Sequence, residues 1–121
     1  MRRWILLLLL LAALPAQGAA PPILRGEEAE PMLRALQHGG FTLLLRHGDT
    51  RGMPCDRTAD WRDEAAQRHL SPAGHGQARA VGEALERWRI PLASPVLASP
   101  VPRVRDTAFA AFGRDAVQLD E

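Results

Sequence analysis

From Arg46 to Thr50 the chain reads Arg-His-Gly-Asp-Thr, and side chains of these types in this order can do chemistry. An imidazole such as His47 can act as a nucleophile and carry a covalent intermediate. A guanidinium beside it, Arg46, can hold a planar oxyanion such as phosphate in a bidentate grip. Gly48 allows the backbone to turn sharply or to approach a ligand closely. A second guanidinium, Arg103, falls in the first turn of an expected helix, whose N-terminus itself favours anions. By itself the Arg-His-Gly triplet is a weak signal, since a polar turn after a strand reads the same way.

The elements that must position these residues can be read from pattern. Phe41–Leu45 is an apolar run with no charge, expected as a strand buried on both faces. Arg46 and His47 would then stand at its carboxyl end, where open α/β sheets hold their ligands. A long loop follows from Asp49 to about Trp61, carrying Arg51, Pro54, Asp56, Arg57 and Asp60. These charges could contact a substrate, and most of them read as solvated. A helical turn is expected over Trp61–Arg68. Ser71-Pro72 then opens a helix, Ser as N-cap and Pro at the first helical position.

Ala78, Val81, Leu85 and Trp88 form the apolar stripe of that helix. Gly74, Gly76 and Gly82 each lower helix propensity by roughly 1 kcal/mol and read as close-packing positions, with the sheet as partner. Ile90-Pro91 ends the helix. Pro95–Ala98 reads as a second strand and Arg103–Phe112 as another helix, stopped by Gly113. Its N-terminus faces the same sheet edge as His47. Ala116–Leu119 begins a third strand. Upstream, Glu27–His38 forms a short helix ended by Gly39-Gly40, with Pro31 in its first turn. His38 reads as a polar residue at that helix end, and His69 and His75 as surface residues, one of which could touch substrate. The order strand, helix, strand, helix, strand implies right-handed crossovers and a mostly parallel sheet.

Composition narrows the function classes. The 121 residues suit one domain. All fifteen basic residues are Arg, and the net charge of +1 with no basic stripe speaks against a nucleic-acid partner. Arg2-Arg3, the apolar run Trp4–Leu14 and the small residues Ala16 and Gly18 have the form of a secretory signal peptide cleaved after Gly18. Residues 1–18 are thus expected to leave, with 19–121 as the domain. Eleven apolar residues are too few to span a bilayer of about 30 Å, so no stable membrane anchor is expected. The mature protein would be periplasmic or secreted. Cys55 is the only cysteine. It is expected to be buried in its loop, or bonded to a cysteine outside these residues.

Three ordered blocks resemble the histidine phosphatase superfamily, also called phosphoglycerate mutase-like. LLLRHGDT fits its strand and nucleophile motif. LSPAGHGQARAVGEAL fits the following helix, with Gly74, Gln77, Ala78 and Gly82 at the usual spacing. VLASPVPRVRDTAFAAFG fits the second strand and helix, with Ser99, Pro100, Arg103, Thr107 and Ala108 in place. Gln67-Arg68 before Leu70-Ser71 is similar to an exported bacterial branch. The resemblance implies an α/β three-layer sandwich with a mostly parallel sheet, incomplete at its C-terminal end.

The same resemblance implies a metal-free phosphoryl transfer with no cofactor, on a small phosphorylated substrate. In it, His47 carries a phosphohistidine, Arg46 and Arg103 neutralise the phosphoryl oxygens, and Thr50 helps order the substrate pocket. Candidate general acids are Asp49 and Glu121. The expected activity is hydrolysis of small phosphomonoesters by an exported phosphatase. The family's second pocket histidine has no counterpart among His38, His47, His69 and His75. The alternative is therefore a truncated or inactive homologue that binds phosphate without turnover, and the chain is expected to be the front portion of a longer protein or a truncated product.

Overall fold

A computed structural model describes residues 25–52 and 54–120. The expected signal segment lies outside the described residues, as does Glu121. After a 3₁₀ turn at Gly26–Glu28 comes helix α1 (Ala29–His38), ended by Gly39 at φ 77°. Strands β1 (Thr50–Arg51) and β2 (His69–Leu70) pair antiparallel and close the base of a long loop, which contains a 3₁₀ turn at Glu64–Ala66. Helix α2 (Pro72–Arg87) follows directly. Strand β3 (Val96–Ala98), helix α3 (Pro102–Phe112) and strand β4 (Val117–Leu119) form a βαβ unit, with β3 and β4 parallel and Ala98 opposite Leu119. Over the described residues the result is a mixed α/β structure with two small sheets. No described helix is long and apolar enough to cross a membrane.

Local signals placed the helices. Ser71 caps α2 by accepting the Gly74 N–H, and Pro72 occupies the first turn. Gly113, at φ 80°, stops α3. The centre of the fold is the crossing of α2 and α3, which is made of small residues. Ala78 on α2 and Ala108 on α3 are buried. A Cβ on Gly82 would sit 2.0 Å from the Ala111 carbonyl oxygen. Because no side chain separates them, the two helix backbones come into contact at this point. The expected partner of these glycines was the sheet. Gly82 instead meets α3, Gly74 meets the loop at Asp49, and Gly76 faces open space.

The strand expected at Phe41–Leu45 is the main correction. Among the described residues this run makes no backbone hydrogen bond and belongs to no sheet. Its side chains are exposed, Leu44 to 96%. A strand buried on both faces needs hydrogen-bonded neighbours at its edges and cover on its faces, and the described elements supply neither. The run instead lines a trough of about 800 Å³ together with residues of α2, β3 and α3. The mostly parallel sheet is accordingly reduced to the β3–β4 pair. Cys55 is also exposed rather than buried, and Trp88, expected on the apolar stripe of α2, is exposed as well.

The two helix glycines give opposite expectations. Gly82→Ala forces a methyl against backbone that cannot swing aside and should destabilise the protein by about 1–3 kcal/mol. Gly76→Ala meets nothing within 4 Å and should raise stability by about 0.5–1 kcal/mol through helix propensity. Urea unfolding monitored by circular dichroism measures both.

Candidate active site

The polar end of the trough is where Arg46, His47 and Gly48 leave the extended run. Gly48 fixes this turn to both helices. Its N–H donates to Thr107 Oγ1 on α3 at 3.0 Å, and the same hydroxyl donates to the Arg103 carbonyl at 2.7 Å. On the other side, a Cβ on Gly48 would lie 2.6 Å from the Gly74 carbonyl oxygen, and a Cβ on Gly74 would lie 2.0 Å from that of Asp49. Two glycines thus allow the turn to pack directly on the first turn of α2.

His47 is half-buried in this turn, and its Nδ1 lies 2.8 Å from the Gly48 carbonyl oxygen. A carbonyl only accepts, so in the neutral ring Nδ1 carries the proton and Nε2 keeps its lone pair. Arg46 is exposed and has no carboxylate partner among the described residues. Asp49 holds α2 in place. Its backbone N–H donates to Gln77 Oε1 at 2.8 Å, its carbonyl accepts the Ser71 N–H at 3.0 Å, and its carboxylate accepts the Ser71 hydroxyl at 2.6 Å. The carboxylate considered as an acid is thus engaged at the cap of a helix, where negative charge is favoured. Thr50 lies in β1 opposite Leu70, and its hydroxyl has no partner among the described residues. Glu121 lies outside the described residues.

Arg103 is brought to the same region by α3. It stands one turn before Thr107, on the same face. Its Nη1 donates to Asp56 Oδ2 at 2.8 Å. Asp56 Oδ1 accepts the Arg68 backbone N–H at 2.8 Å and its Nε at 3.4 Å. Asp56 was expected only as one of the loop charges, able to contact a substrate or, as for most of them, solvated. The loop is folded back instead, because the buried Gln67 amide donates to the carbonyls of Thr58 and Asp60 at 2.9 and 3.0 Å. Sequence reading missed Asp56, Gln67 and Thr107 as site-building residues. Asp56 and Arg103 are 47 positions apart, and no local pattern signals such a pair. Thr107 could be noted only as part of the block shared with the family.

The Arg68 backbone N–H, helped by the Arg103 charge and opposed by partial burial, holds the Asp56 carboxyl below its ordinary value. The histidines other than His47 are placed elsewhere. His38 Nδ1 lies 2.7 Å from the Arg34 carbonyl, His69 Nε2 lies 2.8 Å from that of Glu64, and His75 is half-buried in the first turn of α2. No group of three or more His, Cys, Asp or Glu among the described residues is arranged to hold a metal ion.

The turn sets the His47 imidazole beside Arg46 and is bonded to α3, the helix that carries Arg103, and side chains of these types can hold an oxyanion group. The family model of the histidine phosphatase superfamily (branch 1) matches residues 42–121. The chain belongs to this superfamily, whose members are phosphatases and mutases that transfer phosphoryl groups. Comparison with curated proteins and with solved structures returns no match.

Two outcomes follow from the geometry. Thr107→Val leaves the Gly48 N–H without its acceptor and should cost about 1–3 kcal/mol of stability in urea unfolding, with Thr107→Ser close to the parent. Because the Asp56 carboxyl titrates lower in the folded than in the unfolded chain, its stabilisation is full above about pH 4 and is lost as pH falls through the folded value. Unfolding free energy should thus drop more steeply below about pH 4 in the parent than in Asp56→Asn.

Proposed function

We propose that the protein is an exported phosphatase hydrolysing small phosphomonoesters through a phosphohistidine on His47. The observation that carries this reading is the bond between His47 Nδ1 and the Gly48 carbonyl, which leaves Nε2 as the free nucleophile. In the first step Nε2 attacks phosphorus and the ester P–O bond breaks. The leaving oxygen takes a proton from solvent water and departs as the alcohol. In the second step water attacks the phosphohistidine, phosphate leaves, and the ring regains its lone pair. Arg46 and Arg103 offset the charge on the phosphoryl oxygens as it shifts, and Thr50 helps order the pocket. Arg2-Arg3 with Trp4–Leu14 supports export, with residues 1–18 removed and 19–121 delivered to the periplasm or beyond.

A second reading, phosphate binding without turnover, is favoured by the placement of the remaining histidines. The rings of His38 and His69 are held by backbone carbonyls of their own segments. The two readings separate in a labelling experiment with a radiolabelled phosphomonoester, stopped in alkaline detergent. The parent protein should acquire an acid-labile, alkali-stable label, absent in His47→Ala. Label surviving in His47→Ala would overturn the phosphatase reading. Phosphate binding by calorimetry with no label and no released alcohol would establish the second.

A further inference from the structure

The guanidinium of Arg103 is only partly used. Its Nη1 holds Asp56 at 2.8 Å. Its Nε is buried and has no hydrogen-bond partner among the described residues. Buried donors almost always have an acceptor, so an orphaned Nε–H marks a place where an acceptor arrives. The covalent geometry of arginine says which edge is open. Nη1 lies on the Cδ side of the guanidinium, whereas the Nε–H points to the opposite side, parallel to one N–H of Nη2. Asp56 therefore takes the amine that the Nε–Nη2 edge does not use. That edge is a two-pronged donor matched to two oxygens of a phosphoryl group.

Asp56 is itself held from behind. Its other oxygen is fixed by the backbone N–H and Nε of Arg68. Its loop is closed by the β1–β2 pair, by Gln67, and by the Arg57 N–H on the Ala66 carbonyl at 2.8 Å. A carboxylate gripped on both oxygens cannot follow a swinging side chain. It sets the rotation of whatever it binds. Arg103 also stands on the face of α3 that Thr107 presents to Gly48.

We propose that Asp56 is a positioning residue: it anchors Arg103 by Nη1 so that the Nε–Nη2 edge is fixed and left unpaired for two oxygens of a phosphoryl group. This rests on the reading of Arg103 as a phosphoryl-binding residue. Asp56 does not touch the substrate and transfers no proton.

The test uses the full chain, with the Arg103 Nε–H followed by proton–nitrogen NMR and assigned by its loss in Arg103→Lys. In the parent this resonance should be sharp and protected from exchange, and inorganic phosphate should shift it. In Asp56→Ala it should exchange or average with the other arginines, and phosphate affinity should fall about tenfold, the scale of one charge-assisted hydrogen bond. Asp56→Asn, which keeps an acceptor oxygen and the side-chain shape, should fall between the two and serves if Asp56→Ala does not fold. In an Arg103→Ala background, Asp56→Ala should produce no further loss of affinity. A protected Nε–H in Asp56→Ala, or an equal loss of affinity with Arg103 absent, would overturn the positioning role. A protected Nε–H in the parent that phosphate leaves unmoved would instead overturn the phosphoryl-binding reading of Arg103.

Discussion

The backbone of Gly48 is the constraint on which the site depends. Its N–H is taken by Thr107 on α3, its Cα lies against the Gly74 carbonyl on α2, and its carbonyl faces His47 Nδ1. Three requirements meet at one residue with no side chain. A methyl there would collide with backbone, which has no rotamer in which to yield. The α2–α3 crossing, set by Gly82 against Ala111, fixes the distance between the surfaces that hold the turn. Helix packing and imidazole orientation are thus one mechanical problem.

Charge is distributed around this turn in two different ways. Asp49 is spent on architecture, since its carboxylate and both backbone polar groups bind Ser71 and Gln77. Asp56 is coupled to Arg103 and Arg68 across a folded-back loop. Arg46 keeps its charge exposed at the polar end of the trough. One arginine is therefore braced and one is open. Further along α3, Arg105 reaches Glu64 at 2.6 Å and so fastens the same loop to the helix.

The trough has an apolar wall that ends in the polar turn. Phe41–Leu45 carries its leucines exposed, and its backbone polar groups have no partner among the described residues. The Arg-His-Gly turn is nevertheless well held, because its restraints come from α2 and α3. A polar turn can thus be anchored by helix contacts independently of sheet pairing along the run that leads into it.

The sequence by itself determined the helices, the order β3–α3–β4 and the family. Ser71-Pro72, Gly39 and Gly113 are local signals whose meaning is set by backbone hydrogen bonding and allowed φ, and they act without knowledge of the rest of the chain. The βαβ unit was legible for the same reason, and Arg46, His47 and Arg103 stood out because of their neighbours. Burial was not legible at Phe41–Leu45, since an apolar run states a preference that only partners can satisfy. The role of Gly82 depended on which surface came to face it. Asp56, distant in sequence, became the partner of Arg103 only when the loop folded back under Gln67. Such contacts were decided by tertiary structure, because ion pairs and close backbone approaches depend on distance in space, and sequence separation does not encode it.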